Sequence, residues 1–382
     1  MRFRIYFDEI GDGGIPEANI KSFNFVSNMF KMYAGANIVI KDIKAGLINK
    51  IKTGLGVTVE FYDTSDAEKV YSNKMAVLSF KKFMGDGIVD LIEINLISSL
   101  FFEKEVVTQA HEGSVSQIIL NIFKDSLTSP EYKLDIDSTS DKSRYRYQIA
   151  ETYPAFIKRL FKYAYKDNGA VFLYHDSRGE LKLKGVKSFI EAEPSYVAST
   201  LSNSQWDVKL DGSNRLLNLV INDYTIDTTD SVSTSSVTSK FSTELFKSQD
   251  YFIEEATFNG VWSLDNAQTK RIYPKRQDFY NWDITPEDAF ALACRKGFED
   301  TYMSYTVSIT TNDFLLDSLA IGSVIYLILP YNPTELSSSG EMVNGGEGKY
   351  MVTRVRYNFH DGMFRTIADL VQVGFWKVHF FN

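Results

Sequence analysis

Any chemistry done by this chain of 382 residues would have to come from a few side chains: four histidines, one cysteine and scattered carboxylate pairs. His111, His175, His360 and His379 are spread along the sequence, and none has a second His or a Cys at ligand spacing. A closed metal site needs three or four converging ligands, so metal binding is not expected. Glu254-Glu255 and Glu299-Asp300 are the residue types that run glycoside hydrolysis. That reaction needs two carboxyls facing each other across roughly 5 to 9.5 Å, which adjacency in sequence does not supply, and these acids are read as solvated surface. Cys294 sits in an apolar-to-small helical stretch, where a buried thiol is expected rather than a nucleophile. Gly11, Gly13 and Gly14 have no helix behind them to hold a phosphate. A Gly-x-Ser-x-Gly elbow, a Walker loop and a Gly-x-Gly-x-x-Gly after a strand are all missing. No catalytic residue, cofactor or metal ligand is assigned, and the chain is not expected to be an enzyme.

The elements that would position such groups are mostly strands. Met1, Phe3, Ile5 and Phe7 alternate with polar residues, the period of a strand with one buried face, and similar runs follow at 37–40, 57–61, 75–80 and 88–102. The spacing then changes. Val115, Ile118, Ile119, Ile122 and Phe123 fall at helical intervals behind a capping box of Ser114 and Gln117. A second helix is read in YPAFIKRLFKYAYKDNG, with Pro154 in its first turn and Gly169 placed to stop it. Two strand-like runs joined by Ser177-Arg178-Gly179 make a hairpin.

Strand pattern returns at 205–210 and 216–226, and the Ser/Thr-rich stretch after it, 226–243, reads as an exposed loop. A capped helix opens at Thr285 and Pro286, and two long runs meet at the tight turn Asp361-Gly362. The fold class is therefore mainly β (α+β), with two barrel-like antiparallel β-domains and a connecting block. The expected divisions are 1–105, a first β-barrel-like domain; 106–190, an α+β block with two helices and a hairpin; and 191–382, a second β-barrel-like domain with a helix inserted at about 285–302.

Composition limits the function classes. The chain has 28 Phe, 22 Tyr and 4 Trp, an aromatic load that requires a large core and excludes disorder. The formal net charge of -8 disfavours gripping of DNA, because such affinity comes from neutralising phosphates. One cysteine permits no intrachain disulfide and fits folding in a reducing cytoplasm. The start lacks the apolar core of a signal peptide, and no apolar run approaches the roughly 20 residues of a membrane span, so neither export nor membrane anchoring is expected. Phe375, Trp376, Phe380 and Phe381 crowd apolar area into the C-terminus. They are read first as a last strand packed on its own domain and second as a docking site for another subunit or partner.

The segment YQIAETYPAFIKRLFKYAYKDNGAVFLYHDSRGELKL resembles one shared by phage tail hub proteins: the late-control protein D family, the baseplate hub of contractile-tailed phages and the N-terminal hub part of type VI secretion spike proteins. The matching positions are Gln148, Glu151, Thr152, Phe156, Arg159, Leu160, Gly169, Phe172 and Tyr174. GSVIYLILP followed by GKYMVTRVRYNF is similar to the second barrel of those families. Their oligonucleotide-binding barrel, repetitive needle and lysozyme-like insert are not read in the sequence.

The resemblance implies a homotrimeric ring that joins a six-fold tail tube to a three-fold central spike. DNA would pass through its channel without specific binding. The partners implied are the spike, a tail tube or distal tail protein and, in a contractile tail, baseplate wedge proteins; the location implied is the virion tail, assembled in the host cytoplasm. A tail receptor- or carbohydrate-binding β-protein is the alternative, and a tail-associated cell-wall hydrolase is third.

Overall fold

In a computed structural model, the described residues are 3–8, 14–42, 49–62, 70–84, 90–102, 105–125, 133–167, 169–194, 196–199, 217–220, 223–228, 236–238, 251–257, 267–272, six positions between 288 and 298, 305–312, 319–328, 348–360 and 362–374. They form a mainly β protein.

The first third supplies β1 (Phe3–Phe7), β2 (Ile20–Asn28), β3 (Gly35–Lys41), β4 (Gly56–Tyr62), β5 (Val70–Met84) and β6 (Asp90–Ser98). They pair antiparallel in the order β1-β4-β5-β6-β3-β2. The alternation in β1 works as the sequence dictates, with Phe3, Ile5 and Phe7 buried. Phe3 and Phe23 lie on the two end strands of this run, yet their rings stack at 4.7 Å. The sheet therefore curls until its ends meet through side chains, and Phe25 and Phe61 fill the interior edge to face at 5.1 Å. Such pairs add about 0.5–1.5 kcal/mol each beyond the area they bury.

The middle third is β7 (Val106–Gly113), α1 (Val115–Asp125), β8 (Lys133–Ile136), β9 (Arg144–Thr152), α2 (Tyr153–Leu160), β10 (Tyr165–Lys166), β11 (Gly169–His175), β12 (Glu180–Gly185) and α3 (Val186–Glu191). The α1 cap is the expected box: Gln117 Oε1 accepts from the Ser114 backbone N–H at 2.9 Å, while Ser114 Oγ accepts from the Gln117 N–H at 3.5 Å. The β11–β12 hairpin forms where Ser177-Arg178-Gly179 predicts it. One expectation fails. Helix α2 ends at Leu160 in a 3-10 turn, Phe161–Tyr163, and Gly169 does not stop it but opens β11. The apolar periodicity carried across that turn because Phe161 and Ala164 are buried although the chain has already left the helix.

The last part holds β13 (Tyr196–Ser199), β14 (Leu217–Val220), β15 (Asp223–Thr228), β16 (Ser236–Thr238), β17 (Tyr251–Thr257), β18 (Ala267–Ile272), β19 (Tyr305–Thr311), β20 (Val324–Ile328), β21 (Gly348–His360) and β22 (Met363–Gly374). The Ser/Thr-rich stretch read as a loop instead includes the end of β15, held by β19, and all of β16, held by β17. Ladder bonds satisfy that backbone whatever its side chains. Its remaining residues lie outside the described set, as does the strand read at 205–210. Strand β13 runs parallel to both of its neighbours, β14 and β20. The described positions Asp288, Ala291, Leu292, Cys294, Arg295 and Phe298 are helical.

Strand β21 joins the parts. Its start pairs with β20, its later half pairs along the same course with β2, and its other edge pairs with β22. One thirteen-stranded sheet thereby runs from β1 to the C-terminal strands. Two apolar cores result, the first inside that sheet and the second among α1, α2, β11 and β12.

Candidate functional site

Strand β11 divides those two cores. It is buried along its whole length; Ala170, Phe172 and Tyr174 enter the first core and Val171 and Leu173 the second, as successive strand residues on opposite faces must. The Phe172 ring meets Phe30 at 5.3 Å and Phe298 at 5.2 Å. Burying one such side chain stabilises by about 1.5–3 kcal/mol.

The strand delivers a hairpin tip into the large sheet. Ser27 Oγ donates to the His175 carbonyl. Asn73 Nδ2 donates to the Ser177 carbonyl at 2.9 Å, and Tyr357 OH lies 3.2 Å from Ser177 Oγ. Strands β2, β5 and β21 thus grip one turn. The charges that enter with it are paired: Asp176 is fully buried, with Lys182 Nζ at 2.9 Å and Arg178 Nε at 3.0 Å. Burial opposes its ionisation, but Lys182 and Arg178 outweigh that and hold the carboxyl below its ordinary range. Gly179 has φ +79°, and a Cβ there would lie 2.1 Å from the Ser72 carbonyl oxygen. Only glycine fits such a turn pressed on another backbone.

A second fastening is the clasp at the end of β9. Thr152 caps α2, accepting from the Ala155 N–H at 3.4 Å, with Pro154 in the first turn. Glu151 receives the Arg159 fork, Nε to Oε1 at 3.2 Å and Nη2 to Oε2 at 3.0 Å, and Nη2 also donates to the Tyr147 carbonyl at 2.7 Å. Gln148 is buried, donates to the Glu151 carbonyl at 2.9 Å and lies 3.0 Å from His111 Nε2. The His111 ring stacks on Phe156 at 4.9 Å, and the Arg159 guanidinium lies over that ring at 5.2 Å.

Gln148, Glu151, Phe156 and Arg159 therefore come together. Leu160 lies in the second core, and Gly169 stands apart against Lys166 and Val186. His111 belongs to the clasp although sequence spacing placed it only before a helix; its partner comes from β9 through a register set by the bulge at Val107 and Gln109. Phe375, Trp376, Phe380 and Phe381 lie outside the described residues.

The middle third of the chain is tied to the helical positions between 288 and 298 by charge. Arg144 and Arg146 both bond Asp288, which is fully buried, the second at 2.8 Å. Arg295 lies over the rings of Phe161 and Phe172 at 4.7 and 4.9 Å. Cys294, among the same positions, is buried, and burial pushes its thiol up, away from the thiolate a nucleophile needs. Glu254 and Glu255 fall in β17, and Glu299 and Asp300 lie outside the described residues. No group of three His, Cys, Asp or Glu that could hold a metal occurs among the described residues. The recess beside His111, lined by Gln109, Glu112, Ile118 and Asn121, is about 180 Å³, and each of its polar groups on the ribbon already serves the clasp or faces solvent. The arrangement is one of fixed ties between elements.

No family model and no curated protein matches this sequence. Solved structures do match its fold. A tail protein from Neisseria meningitidis MC58 superposes with a TM-score of 0.59 at 10% identity, over 98% of each chain. The 43 kDa tail protein of prophage MuSo2 from Shewanella oneidensis gives 0.57 at 12% identity, again over 98% of each. An Escherichia coli component of the type VI secretion system, itself similar in structure to the T4 bacteriophage tail proteins gp27 and gp5, gives 0.52 at 9% identity over 98% of this chain and 79% of its own. This chain has the fold of these tail and secretion proteins along nearly its full length.

Proposed function

We propose that this protein is a structural subunit of a phage tail, a hub whose homotrimeric ring joins the six-fold tail tube to the three-fold central spike and leaves a channel for DNA. The reading is carried by one observation: the fold agrees with a tail protein and a prophage tail protein over 98% of this chain and 98% of each of theirs. A site made of ties rather than reactive groups also supports it, because a subunit under mechanical load needs its domains held at a fixed relation. On this reading the chain is not an enzyme. Residues 1–105 and 191–382 are the two ring-forming β-domains, and 106–190 is the block that locks them together. The net charge of -8 suits a wall past which DNA slides without sticking.

The partners proposed are the spike, a tail tube or distal tail protein and, in a contractile tail, wedge proteins, in a virion assembled in the host cytoplasm. Phe375, Trp376, Phe380 and Phe381 are proposed to dock on another subunit or partner. Light scattering on the purified chain is the test: a particle of three 43.5 kDa chains, annular in negative-stain images, is expected. A strict monomer at high concentration overturns the reading.

A further inference from the structure

The described surface exposes large apolar side chains mainly in two places. One is the outer half of β5. Strand β4 covers β5 only to Ala76, and the backbone of 54–55 bonds Val77; from Leu78 to Met84, β5 has β6 on one side and no described strand on the other. Leu78, Phe83 and Met84 are exposed there at 50%, 38% and 83%. The other is the two-stranded ribbon of β7 and β9. Its inner face carries the buried Arg146 and Gln148, while Tyr145, Tyr147 and Ile149 stand outward at 56%, 46% and 68%.

A row of unpaired backbone groups beside exposed apolar residues is a template for another strand, and folded proteins rarely leave one open. Among the described strands, β5 beyond Val77 and each strand of the ribbon have one edge with no strand beside it, although Arg159 bonds the Tyr147 carbonyl of β9, and the two patches are unlike each other. The free stretch of β5 carries Lys81 and Lys82, exposed although each also reaches an acid on β6; on the ribbon side Glu112 is exposed on β7 and Glu105 is exposed just before it. Apolar area, open edge and charge sign all match across the two. A contact between two different patches of one chain is heterologous, and when its rotation closes it generates a ring.

We infer that the outer half of β5 in one copy docks on the β7–β9 ribbon of the next copy, and that this head-to-tail contact closes the ring. The inference rests on the trimeric hub reading and names its seam. The electrostatic match would set register and speed encounter, with the buried apolar residues supplying most of the affinity.

Single substitutions at the two most exposed positions test it, Met84→Asp on β5 and Ile149→Asp on the ribbon, each followed by light scattering with circular dichroism as the check on folding. Every contact in the ring uses both patches, so each variant is expected to fall to one third of the wild-type mass. Mixed in equal amounts, the two variants retain one good patch each, and a one-to-one dimer of twice the single-chain mass is expected. If either aspartate variant fails to fold, Met84→Ser and Ile149→Ser take their place, with the same masses expected as protein is diluted. A wild-type trimer whose variants remain trimers overturns this seam and leaves the hub reading standing. Variants that become monomeric but form nothing when mixed also overturn the seam. A wild type that is itself monomeric overturns the hub reading, and the seam with it.

Discussion

The middle third of the chain is fixed at two places that differ in almost every physical respect. At the β11–β12 tip His175, Asp176, Ser177 and Gly179 are enclosed while Arg178 reaches solvent, and the turn is held by backbone carbonyls, a paired carboxylate and a glycine that touches another strand. The β9–α2 clasp lies near the surface, with the Arg159 and Glu151 side chains still 26% and 29% accessible, and is built almost wholly from neighbours in sequence. Enclosure makes each group at the tip costly to disturb, since no water can replace a lost partner. The clasp is open to water and is expected to yield little when one tie is cut. Substitutions at the two places should therefore separate widely in size.

The largest effect is expected from Gly179→Ala. The new methyl would sit 2.1 Å from the Ser72 carbonyl oxygen at a residue whose φ is +79°. Left-handed strain and overpacking each cost about 1–3 kcal/mol, so a loss of about 4 kcal/mol in urea unfolding is expected. A variant as stable as wild type would show that the tip can withdraw freely, and the contrast between the two fastenings would collapse.

Next comes the protonation of His175. Burial opposes charging of this fully enclosed imidazole and brings it down to about 4, with Asp176 pulling weakly the other way. In the unfolded chain an imidazole titrates near 6.5, so between those values the unfolded state binds the extra proton. The neutral ring's contribution is thus complete above about 6.5 and is lost as pH falls to about 4, on the order of 3 kcal/mol in all. Unfolding free energy measured from pH 7 to 4.5 should slope downward in wild type and more gently in His175→Gln. Parallel profiles for the two would remove His175 as the source.

The same contrast explains what the sequence could reveal. The clasp was legible because it is local: Pro154 and Phe156 follow from a first-turn proline and one helix face, while Thr152 and Arg159 entered through the resemblance to tail hub proteins. The β11–β12 and β21–β22 hairpins were legible through their turn residues. Where the tip goes was not, since Ser177 meets Asn73 and Tyr357, 104 and 180 positions away, and no periodicity encodes which distant strand receives a turn. Asp288 falls within the helix read from Thr285, and nothing local says that Arg144 and Arg146 will both bury against it. Nor could alternation foresee that β21 would be long enough to pair with β20 and β2 in turn.

The smallest effect, and the one that most directly measures the clasp, is expected from Arg159→Lys. The charge is kept, but an ammonium cannot reproduce the planar fork that spans both Glu151 oxygens, bonds the Tyr147 carbonyl and lies flat on Phe156. Water is at hand to satisfy what the fork releases, so a loss of only about 1 kcal/mol is expected. Because Arg159 also ties the carbonyl of Tyr147, slackening should reach the ribbon before the core: amide exchange is expected to quicken along 145–152 and to stay slow along 170–175. A loss above about 3 kcal/mol, of the size reserved for buried pairs, would put the clasp in the same class as the tip. The motif shared with tail hub proteins would then tie the ribbon to α2 as firmly as the hairpin tip is tied to the large sheet.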